Sequence, residues 1–129
     1  MVTGKKENKM KFNRQENKRT GSEGEDEAER HLVSLGYKIL GRNVTLSFGE
    51  IDILVRDGRS IVVVEVKTVR GSGFGLAQEL VRFKKQRKLK LLGRAIEQRY
   101  PNHPVRIDVI GIHYDANGPQ LEHIKNAVS

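Results

Sequence analysis

The sequence predicts one α/β domain, a mixed β-sheet flanked by helices with the elements in the order αβββαβ. Two observations predict this fold. Residues 50–68 hold alternating and β-branched stretches typical of strands, and apolar residues recur at helical spacing on both sides of them. A length of 129 residues fits a single domain of ordinary size. We assign that domain to residues 21–129.

The first helix is predicted to begin at Ser22. Ser22 and Glu25 have the spacing of a capping box, and Ala28 and Leu32 follow at helical spacing. Gly36 is expected to end the helix. Residues 1–20 have almost no apolar content and no periodicity, so we predict a disordered basic N-terminal arm.

Three strands are predicted to follow. Residues 37–48 are rich in strand formers, with an interruption at Gly41. Residues 50–56 alternate, which predicts Ile51, Ile53 and Val55 on one face of the strand. Residues 61–68 are dense in β-branched side chains, and Asp57-Gly58 between the two stretches is a strong hairpin signal.

The second half of the chain is predicted to hold a helix and a strand. A long helical stretch runs from about residue 76 to 99, before Pro101. Residues 105–112 form a last clear strand, and residues 121–124 form either a weaker strand or a short helix.

Charged side chains interrupt the apolar third strand. Glu65 and Lys67 share one face of it, and Glu50 and Asp52 share a face of its hairpin partner. If Asp57 and Gly58 alone form the turn, Glu50 lies opposite Glu65. If the loop spans Asp57 to Ser60, Asp52 lies opposite Glu65. Both registers put all four charges on one face of the sheet.

Such a cluster predicts a bound cation. Two carboxylates about 5 Å apart repel by roughly 3 kcal/mol at an effective dielectric constant near 20. Lys67 is one cation that relieves this repulsion, and a divalent metal would be another. Oxygen ligands favour Mg²⁺, with Mn²⁺ as a substitute, and the chemistry that fits is phosphodiester hydrolysis. The alternative is an exposed edge hairpin whose Glu–Lys pairs serve solubility.

The charge distribution predicts a nucleic-acid partner. The chain carries 24 basic and 16 acidic residues, a net charge of +8. Seven basic residues, with no acidic one between them, crowd into residues 82–94. Lys85 lies on the apolar stripe of that helix, where it either contacts a phosphate or extends past the core. The predicted nucleic-acid contacts are Lys84, Lys85, Arg87 and Lys88.

Other classes of protein are disfavoured by composition. Cysteine is absent, which excludes disulfides and thiolate zinc sites and fits a cytoplasmic location. The longest apolar run is Ile61 to Val64, far short of a membrane span, so no membrane partner is expected. No apolar signal segment follows the basic N-terminus, which predicts no export.

The two acidic motifs carry a family resemblance. Gly49-Glu50-Ile51-Asp52 followed by Val64-Glu65-Val66-Lys67 resembles the PD-(D/E)XK nuclease superfamily. More narrowly, residues 21–112 resemble the bacterial YraN-type family of predicted endonucleases. The resemblance implies a restriction-endonuclease-like core with the element order given above. It also implies a metal-dependent endonuclease acting on nucleic acid, with DNA, branched or damaged, as the expected substrate.

The resemblance also implies roles for individual residues. Asp52 and Glu65 match the metal-binding carboxylates of the superfamily, and Lys67 matches its catalytic lysine. Glu25 matches a first-helix glutamate at the metal site, although capping alone would also explain it. The predicted catalytic set is therefore Asp52, Glu65 and Lys67. The predicted metal set is Asp52, Glu65, Glu25 and Glu50. The sequence departs from the superfamily name at Ile51, where proline usually stands.

Alternatives remain open beside this interpretation. A catalytically silent nucleic-acid-binding module and a protein-interaction subunit would carry the same basic segment. Arg106 and Asp108 share a strand face, as a structural salt bridge or as catalytic groups. The four histidines lack metal-ligand spacing and are expected to be exposed or hydrogen-bonded. Symmetric cleavage of two strands would need two sites and hence a homodimer.

Overall fold

The computed structural model describes residues 9–69, 80, 82 and 87–128, with side chains from residue 22 onward. Its elements confirm the predicted order and add one strand at the end. They are α1 (Lys9–Ser34), β1 (Lys38–Leu46), β2 (Gly49–Asp57), β3 (Ser60–Val69), α2 (Arg87–Arg99), β4 (Val105–Asp115) and β5 (Gly118–Ile124). The segment at residues 121–124 is thus a strand rather than a short helix.

The strands form one mixed sheet in the order β1-β2-β3-β4-β5. The pair β3/β4 is parallel and the other three pairs are antiparallel. A parallel pair needs a long crossover connection, and the chain between β3 and β4 contains α2. The predicted mixed sheet is confirmed.

Two apolar clusters cover the two faces of the sheet, one under each helix. The cluster on the α1 side contains Ala28, Leu32, Tyr37, Ile53, Val55, Val62, Val64, Ile110 and Ile112. The cluster on the α2 side contains Ile51, Leu54, Ile61, Val63, Leu80, Leu89, Leu92, Ile96, Ile107 and Val109. The central strand β3 contributes to both clusters, which explains its near-continuous apolar sequence.

The start of α1 differs from the sequence prediction. The helix begins at Lys9, so Ser22 and Glu25 lie inside it and do not form a capping box at its N-terminus. The arm predicted to be disordered is helical from Lys9 onward. Residues 9–20 include Lys, Arg, Gln, Glu and Met, which are good helix formers and can extend a helix whose later turns are packed.

The end of α1 follows the prediction. Gly36 has a φ of 87°, the left-handed conformation that glycine adopts without a steric penalty. The Gly36 amide donates to the Val33 carbonyl, and the Tyr37 amide donates to the Leu32 carbonyl. This is a Schellman motif, and Tyr37 and Leu32 belong to the same apolar cluster. The motif directs the chain from α1 straight into β1.

The hairpin between β2 and β3 adopts the second of the two predicted registers. Asp57 lies opposite Ser60 and Ile53 opposite Val64, so Gly58 and Arg59 alone form the turn. Gly58 has a φ of 60°, as the first central residue of a two-residue hairpin turn requires. Continued by one step, this register brings Asp52 level with Glu65.

Several predicted features lie outside the described residues. They are most of the helical stretch from 76 to 86 and the two predicted nucleic-acid contacts Lys84 and Lys85. In the part of the chain that the structure does describe, no helix is both long enough and apolar enough to cross a membrane.

Candidate functional site

The acidic site lies where β2 and β3 stop pairing. Their backbone pairing runs from the turn as far as Ile53 opposite Val64. Beyond that pair, a side chain replaces the backbone as hydrogen-bond acceptor. Asp52 Oδ2 accepts a hydrogen bond from the Val66 backbone amide at 2.8 Å. The two strands separate at this point, and Asp52 lies in the gap between them.

The side-chain alternation of β2 breaks at the same place. The sequence predicted Ile51, Ile53 and Val55 on one face, but Ile51 packs on the α2 side whereas Ile53 and Val55 pack on the α1 side. That part of the prediction is wrong, because alternation holds only while a strand stays regular. Asp52 lies at the break and interacts with groups from both helices.

Glu65 is the most deeply buried acid of the site. It is 7% exposed, and its Oε1 atom is buried with no hydrogen-bond partner. Burial, the neighbouring Asp52 charge and a hydrogen bond to Asp52 raise the pKa of Glu65 to about 9. Burial also raises the pKa of Asp52, although the Val66 amide and the hydrogen bond with Glu65 act in the opposite direction. Without a cation, the raised pKa of Glu65 favours its protonated form at neutral pH, in which the carboxyl can donate a hydrogen bond to Asp52.

Glu25 approaches this pair from α1. Burial and the Asp52 charge raise the pKa of Glu25. Two residues of β1 hold it: Arg42 Nε lies 3.5 Å from Glu25 Oε1, and the Asn43 side chain donates a hydrogen bond to Glu25. Asn43 has a φ of 53°, a left-handed conformation that asparagine tolerates. Sequence reasoning assigned no role at this site to Arg42 or Asn43.

A close contact between α1 and β3 sets the position of Glu25. A Cβ atom at Gly24 would overlap the Thr68 side chain. Glycine at this position therefore lets the helix backbone lie directly against β3. The next residue, Glu25, is consequently brought within electrostatic range of Asp52.

The remaining predicted site residues are less closely placed. Glu50 is exposed, and its charge raises the pKa of Asp52 only as a minor contribution after burial. Lys67 is half-buried on β3, two residues after Glu65 and opposite Gly111 of β4. Across residues 9–69, 80, 82 and 87–128, no three His, Cys, Asp or Glu side chains are arranged to hold a metal ion. Metal binding by the predicted set of four carboxylates stays a prediction.

Lys88 joins the site from α2. A Cβ atom at Gly49 would lie 2.7 Å from Lys88 Cε and 3.4 Å from Lys88 Nζ, so the end of the lysine crosses the Gly49 backbone. Burial raises the pKa of both Asp52 and Glu65, and the positive charge of Lys88 opposes that rise in both. The sequence predicted Lys88 only as a nucleic-acid contact. Its placement beside the acids depends on how α2 packs.

The outer surface of α2 is strongly basic. Arg87 and Lys88 are exposed near its start. A groove on the same helix is lined by Arg87, Lys90, Leu91 and Arg94. Like charges this close repel one another, so the face is suited to a polyanion.

The salt-bridge alternative for Arg106 and Asp108 is confirmed. Arg106 Nε lies 3.0 Å from Asp108 Oδ1, and Arg106 Nη1 lies 3.0 Å from Asp57 Oδ2. Asp108 is completely buried and also accepts hydrogen bonds from His123 Nε2 at 2.8 Å and the Asn126 amide at 2.9 Å. This network lies on the α1 side of the sheet, because Asp108 is level with Val64.

Three of the four histidines are hydrogen-bonded, as predicted. His31 Nε2 and His123 Nδ1 are 3.0 Å apart, and His103 Nδ1 bonds the Arg59 carbonyl oxygen at 2.8 Å. His113 departs from the prediction, because its Nδ1 is buried without a hydrogen-bond partner.

The family can be identified by comparison with known proteins. The model of the uncharacterised protein family UPF0102 matches residues 24–112. A UPF0102 protein of Thermodesulfovibrio yellowstonii is 44% identical over 108 residues, which is 83% of this chain and 93% of that protein. A UPF0102 protein of Geobacter metallireducens is 44% identical over 113 residues, which is 86% of this chain and 93% of that protein.

A solved structure, that of Pyrococcus furiosus SfsA in complex with Ca²⁺, aligns with 88% of this chain and 65% of its own. The TM-score is 0.36 and the identity 16%, below the level that shows a common fold. The sequence matches cover most of the chain at high identity, and they confirm the YraN-type family predicted from the motifs. The chain therefore belongs to the uncharacterised protein family UPF0102.

Proposed function

We propose that this chain is a metal-dependent endonuclease that hydrolyses phosphodiester bonds in nucleic acid, with DNA as the expected substrate. One observation carries the proposal. Asp52 and Glu65 meet at the gap between β2 and β3, and Glu65 Oε1 is buried there without a partner. Burying an acceptor without a partner costs free energy, and a bound cation would remove that cost.

The two carboxylates suit a hard divalent cation. Mg²⁺ is usually held by one or two carboxylates and keeps several of its waters, so Asp52 and Glu65 suffice as protein ligands. Glu25 and Glu50 would act at longer range, through their charge. An ion bound here would polarise a phosphate and lower the pKa of a bound water. Mn²⁺ is expected to substitute for Mg²⁺.

The protein's own groups would orient the reaction. The Val66 amide fixes the Asp52 carboxylate, and Arg42 and Asn43 fix Glu25. Lys67 remains the predicted catalytic lysine, next but one to Glu65 on β3. The cations of α2 would attract the phosphate backbone to this side of the sheet.

The proposal includes a restriction-endonuclease-like core. The element order, the mixed sheet between two helices and the acids at the separation of two strands support it. A homodimer and a cytoplasmic location belong to the same proposal, as predicted from the sequence.

Cleavage assays test the proposal directly. The purified chain is incubated with branched, duplex and single-stranded DNA and RNA, with Mg²⁺, with Mn²⁺ and with EDTA. We expect divalent-dependent cleavage that Asp52→Asn and Glu65→Gln abolish. Glu122→Gln, which changes an exposed carboxylate on β5, is the matched control and should cut normally. Equal cleavage by the wild type and Glu65→Gln would refute the proposal.

A second candidate is a nucleic-acid-binding module without catalysis. The raised pKa of Glu65 favours a proton on the acid pair in place of a cation, and no third ligand is arranged beside it among the described residues. This module would bind DNA through α2 with a strong salt dependence and no response to divalent ions. Binding that tightens on addition of Mn²⁺ would exclude it.

A further inference from the structure

Gly49 and Lys88 form a contact that the proposed nuclease site does not require. Gly49 begins β2, three residues before Asp52, and Lys88 lies in the first turn of α2. The φ of Gly49 is not in the left-handed region, so its backbone would accept any residue. What a side chain at Gly49 would disturb is the end of Lys88, 2.7 Å away at Cε. Glycine here thus leaves room for the lysine.

Lys88 is exposed and lies within electrostatic range of the two acids. Its charge acts on Asp52 and on Glu65, although Lys88 belongs to α2 and not to the strands that carry the acids. A lysine on a flexible four-carbon stem can exchange one anionic partner for another at little cost. The same ammonium group can therefore serve the carboxylates or an incoming phosphate.

We propose that Lys88 is shared between the acid pair and the substrate phosphate, so that a divalent cation and nucleic acid bind this site cooperatively. In the metal-free protein, the charge of Lys88 acts on Asp52 and Glu65 and favours their ionised forms. With a divalent cation held by Asp52 and Glu65, the Lys88 ammonium group would be repelled from the carboxylates. Lys88 is then released to a phosphate oxygen. This inference rests on the proposed function, because it assumes that the acid pair binds a cation.

Two binding measurements on the full chain test the inference without relying on cleavage. Calorimetry measures the affinity for Mn²⁺. Fluorescence anisotropy measures the affinity for a labelled duplex with phosphorothioate linkages, in EDTA and in saturating Mn²⁺. The ratio of the two duplex dissociation constants is the coupling factor between the cation and the nucleic acid.

Three variants separate the contact from the charge. Lys88→Met removes the ammonium group and keeps the stem. Gly49→Ala keeps the charge but displaces Lys88, and it should fold normally because the group that must move is the end of a flexible side chain. Lys90→Met removes an exposed cation of the same helix that lines the groove with Arg94 and is the matched control.

We expect Lys88→Met to bind Mn²⁺ about threefold more tightly, because a repelling charge is removed. We expect the coupling factor of Lys88→Met to fall about threefold or more. Gly49→Ala should likewise bind Mn²⁺ more tightly and have a smaller coupling factor. Lys90→Met should weaken duplex binding equally in EDTA and in Mn²⁺. A role in surface attraction alone would make Lys88→Met behave like Lys90→Met, which would overturn the inference.

The outcomes distinguish the inference from the proposed function. If the wild type binds no Mn²⁺, the proposed function and the inference both fail. If the wild type binds Mn²⁺ and Lys88→Met leaves the Mn²⁺ affinity and the coupling factor unchanged, only the inference fails. If both quantities change in Lys88→Met but neither changes in Gly49→Ala, the contact at Gly49 does not place the lysine, and the inference is equally overturned.

Discussion

Replacing Glu65 by glutamine should stabilise the metal-free protein, and the gain should grow with pH. Burial first, and Asp52 second, raise the pKa of Glu65 from its ordinary 4.5 to about 9. A group whose pKa is raised on folding contributes full stability below its unfolded pKa. That stability is lost as the pH rises toward the folded pKa. Wild-type stability should therefore decline between about pH 4.5 and 9 on account of Glu65.

The size of the effect follows from the same values. Each pH unit above the unfolded pKa of 4.5 costs about 1.4 kcal/mol until the folded pKa is reached. At pH 7 the cost of keeping Glu65 protonated is about 3 kcal/mol, a large part of the stability of a small domain. A glutamine keeps the shape and a donor for Asp52 but has no proton to lose. Glu65→Gln should recover most of this amount.

The assay is urea unfolding of both proteins in EDTA at pH 5, 7 and 8.5. Titratable groups away from the acid pair act equally on both proteins, so the difference between them reports on Glu65 together with its neighbour Asp52. Glu122→Gln, which removes an exposed carboxylate far along the chain from the acid pair, is the matched control. The difference in unfolding free energy between the wild type and Glu65→Gln could instead be constant from pH 5 to 8.5. That result would mean that Glu65 is ionised in the folded protein. The description of the acid pair would then be wrong.

Three further predictions concern the scaffold. Leu32→Ala, at a fully buried position between α1 and the sheet, should cost about 3 kcal/mol in urea unfolding, whereas Val33→Ala on the exposed side should cost little. Arg106→Met should lower the free energy of unfolding in urea by about 3 kcal/mol, because it removes the cation beside the buried Asp108. A variant as stable as the wild type would contradict the role given to this ion pair. Burial, followed by the charges of His123 and Lys125, lowers the pKa of His31, so the thermal unfolding temperature should fall as the pH falls below about 6.5. His31→Gln should reduce this pH dependence of the unfolding temperature. The same pH dependence in His31→Gln and the wild type would contradict the role given to His31.

The helices and strands were largely readable in the sequence where their signals are local. Period-2 and period-3.6 patterns, Gly36 and the Asp57-Gly58 turn all act over a few residues. They led to the right element order and to two registers, one of which the structure adopts. The start of α1 was misplaced because capping residues also occur inside helices, where neighbouring turns make the cap unnecessary.

The candidate site was readable only in part. The hairpin left two partners for Glu65, either Glu50 or Asp52, because a hairpin has few registers and each puts side chains at predictable positions. The break of alternation at Asp52, which sends Ile51 to the opposite face, could not be predicted. It depends on how far β2 and β3 separate, and packing against both helices decides that.

By itself the sequence determined the two hairpin registers, one of which brings Asp52 level with Glu65, that basic residues crowd into one segment, and to which family the chain belongs. Only the tertiary structure decided which cation meets the acids, because Lys88 reaches Gly49 through the packing of α2 on the sheet. It likewise decided that Arg42 and Asn43 hold Glu25. The reason is physical: local patterns follow from backbone geometry over a few residues, whereas contacts between distant segments follow from the packing of the whole core.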